Sequence, residues 1–266
     1  LLLAQSFFFG IFFATFEISA FTMFQGAFGQ ESLYESFIVS GVAGVILSLV
    51  YSKLQTSMSF IKLALLNLIF ISVLMVSMWA MTKNTSSKYV FFFAFIMMGP
   101  LNAIAQLGFW GMAGRLFNLR QGKRLFGLVD SGQTFGMIII SFSVPFLLMI
   151  FSSIGDLLLV SSLSAVGALF IQLIIANKFG QSIIDQEQID QKEHEEEKSS
   201  ESNKQKGMSI MDVIRHRYLN KLALFVVFSM LGSFLIYSSF FDVTKANYPD
   251  DNERAVFLSM FLAVVM

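Results

Sequence analysis

The chain has 266 residues, 55% of them hydrophobic and only 14% charged, with 32 phenylalanines and a formal net charge of zero. That balance leaves too little polar surface for a soluble globule of this length and points to a membrane protein. There is no cysteine and there are only two histidines, His194 and His216, so no metal cage, enzyme chemistry or cofactor is expected, and no nucleic-acid partner.

Apolar stretches long enough for a bilayer recur along the chain. A hydrocarbon core of about 30 Å takes about twenty helical residues, and stretches of that order run over 1–24, 34–52, 60–81, 89–110, 131–151, 157–176 and 218–241, with an eighth beginning at Val256. None shows the period-two alternation of barrel strands, so helices are expected, because hydrocarbon offers no partner to free backbone groups. The fold class is all-α and polytopic. The chain opens inside an apolar stretch without Met and stops eleven residues into the eighth, which reads as a piece of a longer protein.

Charge orients the spans. The second and fourth loops carry Lys53, Lys62, Arg115, Arg120, Lys123 and Arg124 against Asp130 alone, whereas the other short loops together hold only Lys83, Lys88, Lys245 and Arg254 against seven acidic residues. Basic loops stay in the cytoplasm, so the first helix starts there, and the loop after the sixth span is cytoplasmic too. The organisation expected is a six-helix bundle over 1–176, a charged linker over 177–217 and the start of a second bundle over 218–266. The linker core, 185–206, is acidic and rich in Gln and Ser and reads as a disordered tether. Met208, Met211 and Ile214 with Arg215 and Arg217 suit a short amphipathic helix at the membrane surface. Asn84, Thr85 and Ser86 form a glycosylation sequon best explained by chance.

Function should lie in polar groups inside the spans, where each is costly and faces a cavity or a neighbouring helix. Glu17 lies about 10 Å below the outer surface by helical rise and either lines a cavity, carrying a proton, a cation or part of substrate recognition, or is paired structurally. Asn102 and Gln106 share a face just after Gly99 and Pro100, and Pro100 removes a backbone donor and so exposes a carbonyl. Asp130, Thr134 and Ser141 share a face of the fifth span. Each is a candidate for the cavity or for contact between helices. Ser40, Gly44 and Ser48, and Gly132 with Gly136, mark close helix approach.

The stretch Arg115, Arg120, Gln121, Gly122, Lys123, Arg124, Leu125, Phe126, Gly127, Leu128, with Gly132 and Gly136 after it, resembles the major facilitator superfamily. Together with Arg217, Tyr218 and Leu219 entering the seventh span, and Tyr248, Pro249 and Asp250 before the eighth, it is similar to the ATP/ADP translocase-like branch. The loop over 51–62 departs from the superfamily in lacking an acidic residue and a Gly-Arg-Arg cluster, and Gly122 stands where the branch more often has Ala. The resemblance implies two six-helix halves that open a central site alternately to each side, and exchange of nucleotides. An anionic substrate needs basic contacts. Lys221 and Lys245 are the candidates nearest the spans, with Arg115, Arg120, Lys123 and Arg124 as a basic motif at the cytoplasmic rim. Proton- or cation-coupled movement of a small organic solute is the competing transport reading, and a sensor or scaffold that binds a partner through the linker is the reading from another class. The expected setting is a bacterial inner membrane.

Overall fold

The computed structural model describes residues 1–84, 88–117, 119–151, 153–201 and 217–266. Among them every regular element is helical: α1 (Leu2–Ala27), α2 (Gln30–Ser57), α3 (Phe60–Asn84), α4 (Lys88–Leu116), α5 (Leu119–Ile150), a 3-10 turn (Ile154–Asp156), α6 (Leu157–Glu201), α7 (Arg217–Asn247) and α8 (Asp251–Val265). Seven of these helices are long and apolar enough to cross a bilayer. Thr85 and Ser86 of the sequon, and most of the expected amphipathic helix over 208–217, lie outside the described residues.

Helix ends differ from the apolar boundaries where polar helix formers or caps take over. α5 starts at Leu119, not Ser131, because Arg, Gln, Lys and Leu between them are strong helix formers. α6 runs on to Glu201, so the expected tether is helical at least that far. No Pro or Gly interrupts it after Gly180, and Glu, Gln and Lys favour helix without needing a core. α8 starts at Asp251, ahead of its apolar part, because the Asp250 side chain accepts from the backbone N–H of Asn252 at 3.0 Å and of Glu253 at 3.1 Å.

α1 is the centre of the molecule. Its phenylalanines occur on every side, and a helix apolar all round must be covered all round. Phe9, Phe12, Phe13, Phe16, Phe21 and Phe24 are all buried, and α1 touches α4, α5, α6 and α8. Glycine permits the tightest of these contacts. A Cβ on Gly132 would stand 2.6 Å from the Leu3 carbonyl oxygen, and one on Gly136 would meet the Phe7 carbonyl and, at 3.2 Å, the Cα of Gly10. The two glycines one turn apart thus let α5 lie backbone to backbone against α1. On the other flank, Ser164 donates to the Phe8 carbonyl at 2.5 Å, Ser161 to that of Phe12 at 3.1 Å, and Gln5 to Gln172 at 2.7 Å.

The principal helix pairs map onto one another when α1, α2, α3 are exchanged for α4, α5, α6. The pair α1·α5 becomes α4·α2, α1·α6 becomes α4·α3, and α3·α6 and α1·α4 map onto themselves. Residue contacts fix the directions: Leu3 and Phe7 meet Gly132 and Gly136 in parallel, whereas Phe8 and Phe12 meet Ser164 and Ser161 in antiparallel sense. Such exchange is the mark of an inverted internal repeat.

Pro100 has the effect its chemistry dictates. Without an N–H it leaves the Ile96 carbonyl, four residues earlier, without its helical donor. Ser40 of α2 donates to that carbonyl at 2.8 Å, so the exposed group holds α2 to α4. Asn67 of α3 makes a comparable bond to the Ile104 carbonyl at 2.7 Å.

Replacing Gly136 with Leu should lower the thermal unfolding midpoint in detergent, because the side chain meets backbone that cannot swing away and overpacking costs about 3 kcal/mol or more. An unchanged midpoint would contradict the α1–α5 contact.

Candidate functional site

Two helices outside the six-helix bundle, α7 and α8, join it at one end, where α1 terminates. Phe21 and Phe24 of α1 pack on Phe241 of α7 with ring centroids 5.9 and 6.1 Å apart, and Phe37 of α2 on Phe234 at 5.2 Å. Polar bonds reinforce the rings. Gln25 donates to the Phe241 carbonyl at 3.1 Å, and Lys245 Nζ donates to the carbonyl of Phe28, the C-cap of α1, at 2.7 Å. A cation at a helix C-terminus is favoured by the helix dipole. Gly26 lets α8 close in, since a Cβ there would stand 2.7 Å from the Asp251 carboxylate. Asp251 in turn holds Arg254 at 2.8 Å, and Arg254, 1% exposed, also donates to the Tyr248 and Pro249 carbonyls at 2.9 and 2.8 Å. A buried guanidinium with three acceptors fastens the α7–α8 connection.

Beyond this junction toward the membrane interior lies a cavity of about 240 Å³ between α1, α7 and α8. Phe21, Phe240, Phe261, Leu258 and Tyr237 line it, and Glu17 supplies its carboxylate. Tyr237 donates to Glu17 Oε1 at 3.5 Å, the outer limit of a hydrogen bond. A carboxylate that faces an apolar cavity keeps acceptor capacity for whatever enters.

The remaining candidates fall elsewhere. Gln106 donates to Gln133 of α5 at 3.0 Å, a partner that the Asp130–Thr134 spacing does not suggest, because Gln133 lies about 60° around the helix from Asp130 on the side away from Thr134. Asn102, one turn from Gln106, is half-buried, and its Oδ1 has no hydrogen-bond partner. Asp130 is exposed and Thr134 half-buried. None of Asn102, Gln106, Asp130 and Thr134 lines the Glu17 cavity. Arg115 lies 3.9 Å above the Phe60 ring and donates to the Gly111 carbonyl, which ties it to the packing of α3 on α4. Lys123, Arg124 and Lys221 are exposed, and the Arg120 side chain lies outside the described residues.

A second charged cluster sits at the same end of the bundle as the junction. Asp156 lies 2.8 Å from Lys83 Nζ and accepts from Trp79 at 3.1 Å. With Ser153 it also forms a reciprocal capping box that starts the turn into α6.

The seven bilayer-length helices among the described residues define a polytopic integral membrane protein, with a carboxylate-bearing cavity between α1, α7 and α8. The sequence model of the TLC ATP/ADP transporter family matches residues 72–266, and the chain belongs to that family. The matched stretch begins within α3 and includes the α7 and α8 walls of the cavity, whereas Glu17 precedes it. Comparison with curated proteins and with solved structures gave no match.

The chain has no native cysteine, so a pair introduced by Gly26→Cys and Asp251→Cys can be followed cleanly. A Cβ at position 26 would stand 3.0 Å from the Asp251 Cγ, which brings the two thiols within reach of each other, and oxidation should cross-link them as read by mass spectrometry. Failure to cross-link would show that the junction is not populated.

Proposed function

We propose that the protein is a secondary transporter of adenine nucleotides, working by alternating access between the bundle over 1–176 and a second one that begins with 218–266, joined by the linker over 177–217. Membership of the TLC ATP/ADP transporter family carries the substrate class. The mechanism draws support from the symmetric exchange of α1–α3 with α4–α6 and from the position of the Glu17 cavity where α7 and α8 meet the bundle. With basic loops inside, the junction of Phe28, Lys245 and Asp251 lies on the outer face. The bonds named between the bundle and α7–α8 gather there, while Lys221 and neighbouring residues of α7 are exposed at the opposite end. Lys221, Lys123 and Arg124 are the exposed cations that would meet polyphosphate on the cytoplasmic side. A bacterial inner membrane is the setting we assign.

Glu17 favours one second reading. A carboxylate in an apolar cavity can carry a proton or a cation, which would couple transport to an ion gradient instead of to counter-nucleotide. A partner-binding scaffold has no comparable use for this cavity.

Uptake of labelled ATP and ADP into proteoliposomes decides between exchange and ion coupling. Exchange predicts uptake that rises at least about tenfold when ADP is loaded inside and that ignores an imposed proton gradient. Glu17→Gln should lower that uptake by about tenfold, the scale of one lost charged hydrogen bond. Uptake driven by the gradient with empty vesicles would favour the second reading, and no nucleotide uptake under either condition would contradict the substrate.

A further inference from the structure

We infer, resting on the nucleotide reading, that the Glu17 cavity is the nucleobase end of the substrate site and that it selects a purine bearing an exocyclic amino group. A nucleotide has two chemically opposite ends. The polyphosphate is strongly anionic and takes cations and backbone N–H groups, whereas the base offers two π faces and an edge of donors and acceptors. The cavity fits only the second. Among the described residues its lining includes no Lys or Arg, and the one charged group is the Glu17 carboxylate, which repels phosphate. Phe21, Tyr237, Phe240 and Phe261 line the cavity beside the aliphatic Ile18, Ile236, Leu258 and Leu262. Phe240 and Phe261 stand 5.0 Å apart, centroid to centroid, with their planes tilted by 34°, and give the cavity an aromatic side against which a base can pack.

Size agrees with a partial site. At about 240 Å³ the cavity is below the roughly 300–1,000 Å³ that encloses a whole drug-sized ligand. It holds a base and leaves the ribose and phosphates to extend out of it. Glu17 oxygens accept and so pair with an amino group such as that on C6 of adenine. The Tyr237 hydroxyl competes little for Oε1, because their contact is already stretched to 3.5 Å. Hypoxanthine, with a carbonyl in place of that amino group, turns an acceptor toward the carboxylate and keeps only its ring N1–H as a donor on that edge. A site built around a hydrogen bond discriminates strongly against the analogue that lacks it.

The test is competition against labelled ADP uptake by the complete protein in proteoliposomes. The competitors are ADP, inosine diphosphate and uridine diphosphate. In the unmodified protein ADP should compete at least about tenfold better than inosine diphosphate, and uridine diphosphate should compete least, having a single small ring and no amino group. Glu17→Ala should bring ADP and inosine diphosphate to within about threefold of each other. Glu17→Gln, whose amide carries a donor as well as an acceptor, should improve inosine diphosphate relative to ADP. Equal competition by ADP and inosine diphosphate in the unmodified protein would overturn the assignment, and that series needs no variant to fold. So would retention of the preference in Glu17→Ala. Absence of uptake of any nucleotide would overturn the nucleotide reading itself, and this assignment with it.

Discussion

The contact of α1 with α5 at Gly10, Gly132 and Gly136 is the constraint from which the rest of the arrangement follows. Lipid tails are as apolar as leucine, so helices in a bilayer gain little by hiding hydrophobic surface and gain mainly by close packing. Where α5 carries glycines one turn apart, backbone meets backbone, and α1 is drawn into the middle of the bundle. There it is enclosed by α4, α5, α6 and α8. Serines 161 and 164 of α6 hold the other flank through carbonyls of α1. A helix so enclosed sets the position of everything mounted on it. Glu17, Phe21, Gln25 and Phe28 lie in order along its terminal half, and they meet α7 and α8 in that order.

The result is one helix that serves two purposes. Its first half is structural, locked to α5 and α6. Its second half faces α7 and α8, which contact the bundle through rings, through Lys245, Gln25 and Tyr237, and through the approach of Asp251 to Gly26, with α8 packed on α5 as well. Bonds from flexible side chains to helix-end carbonyls are individually modest, about 0.5–1.5 kcal/mol each. A junction made of them can part without unfolding either side. The backbone contact at Gly136 cannot, and in the proposed transport cycle this contrast would let the cavity beside α7 and α8 change its exposure while the bundle stays intact.

Much of this was legible from residue order, for physical reasons. Bilayer thickness imposes span length, so long apolar runs read directly as helices. Gly132 and Gly136 read as a close approach because small residues one turn apart have few other uses in a membrane helix. Pro100 announced a freed carbonyl, but only the structure shows that Ser40 takes it. Three features stayed hidden because they depend on which helices are neighbours. Gln133 pairs with Gln106 although Asp130 and Thr134 carry the more suggestive spacing. Lys245 caps α1 through a carbonyl 217 positions away in sequence. Arg115, one of the basic residues that orient the chain, is held over Phe60. The start of α8 was hidden for a different reason: apolar runs do not register a polar first turn capped by Asp250. The continuation of α6 to Glu201 reflects intrinsic propensity acting where no core is required.

Family membership supports the class of cargo, and the proposal seats it in the cavity between α1, α7 and α8. The most direct test is whether cargo enters that place. Tyr237→Cys would set a single thiol in the cavity wall of a chain that has no other cysteine, and its alkylation rate by a small water-soluble reagent can be measured with and without ADP. Saturating ADP should slow the reaction at least about tenfold, as expected when a site is more than nine-tenths occupied. An alkylation rate indifferent to ADP, in protein that still transports it, would place the substrate elsewhere and contradict the account.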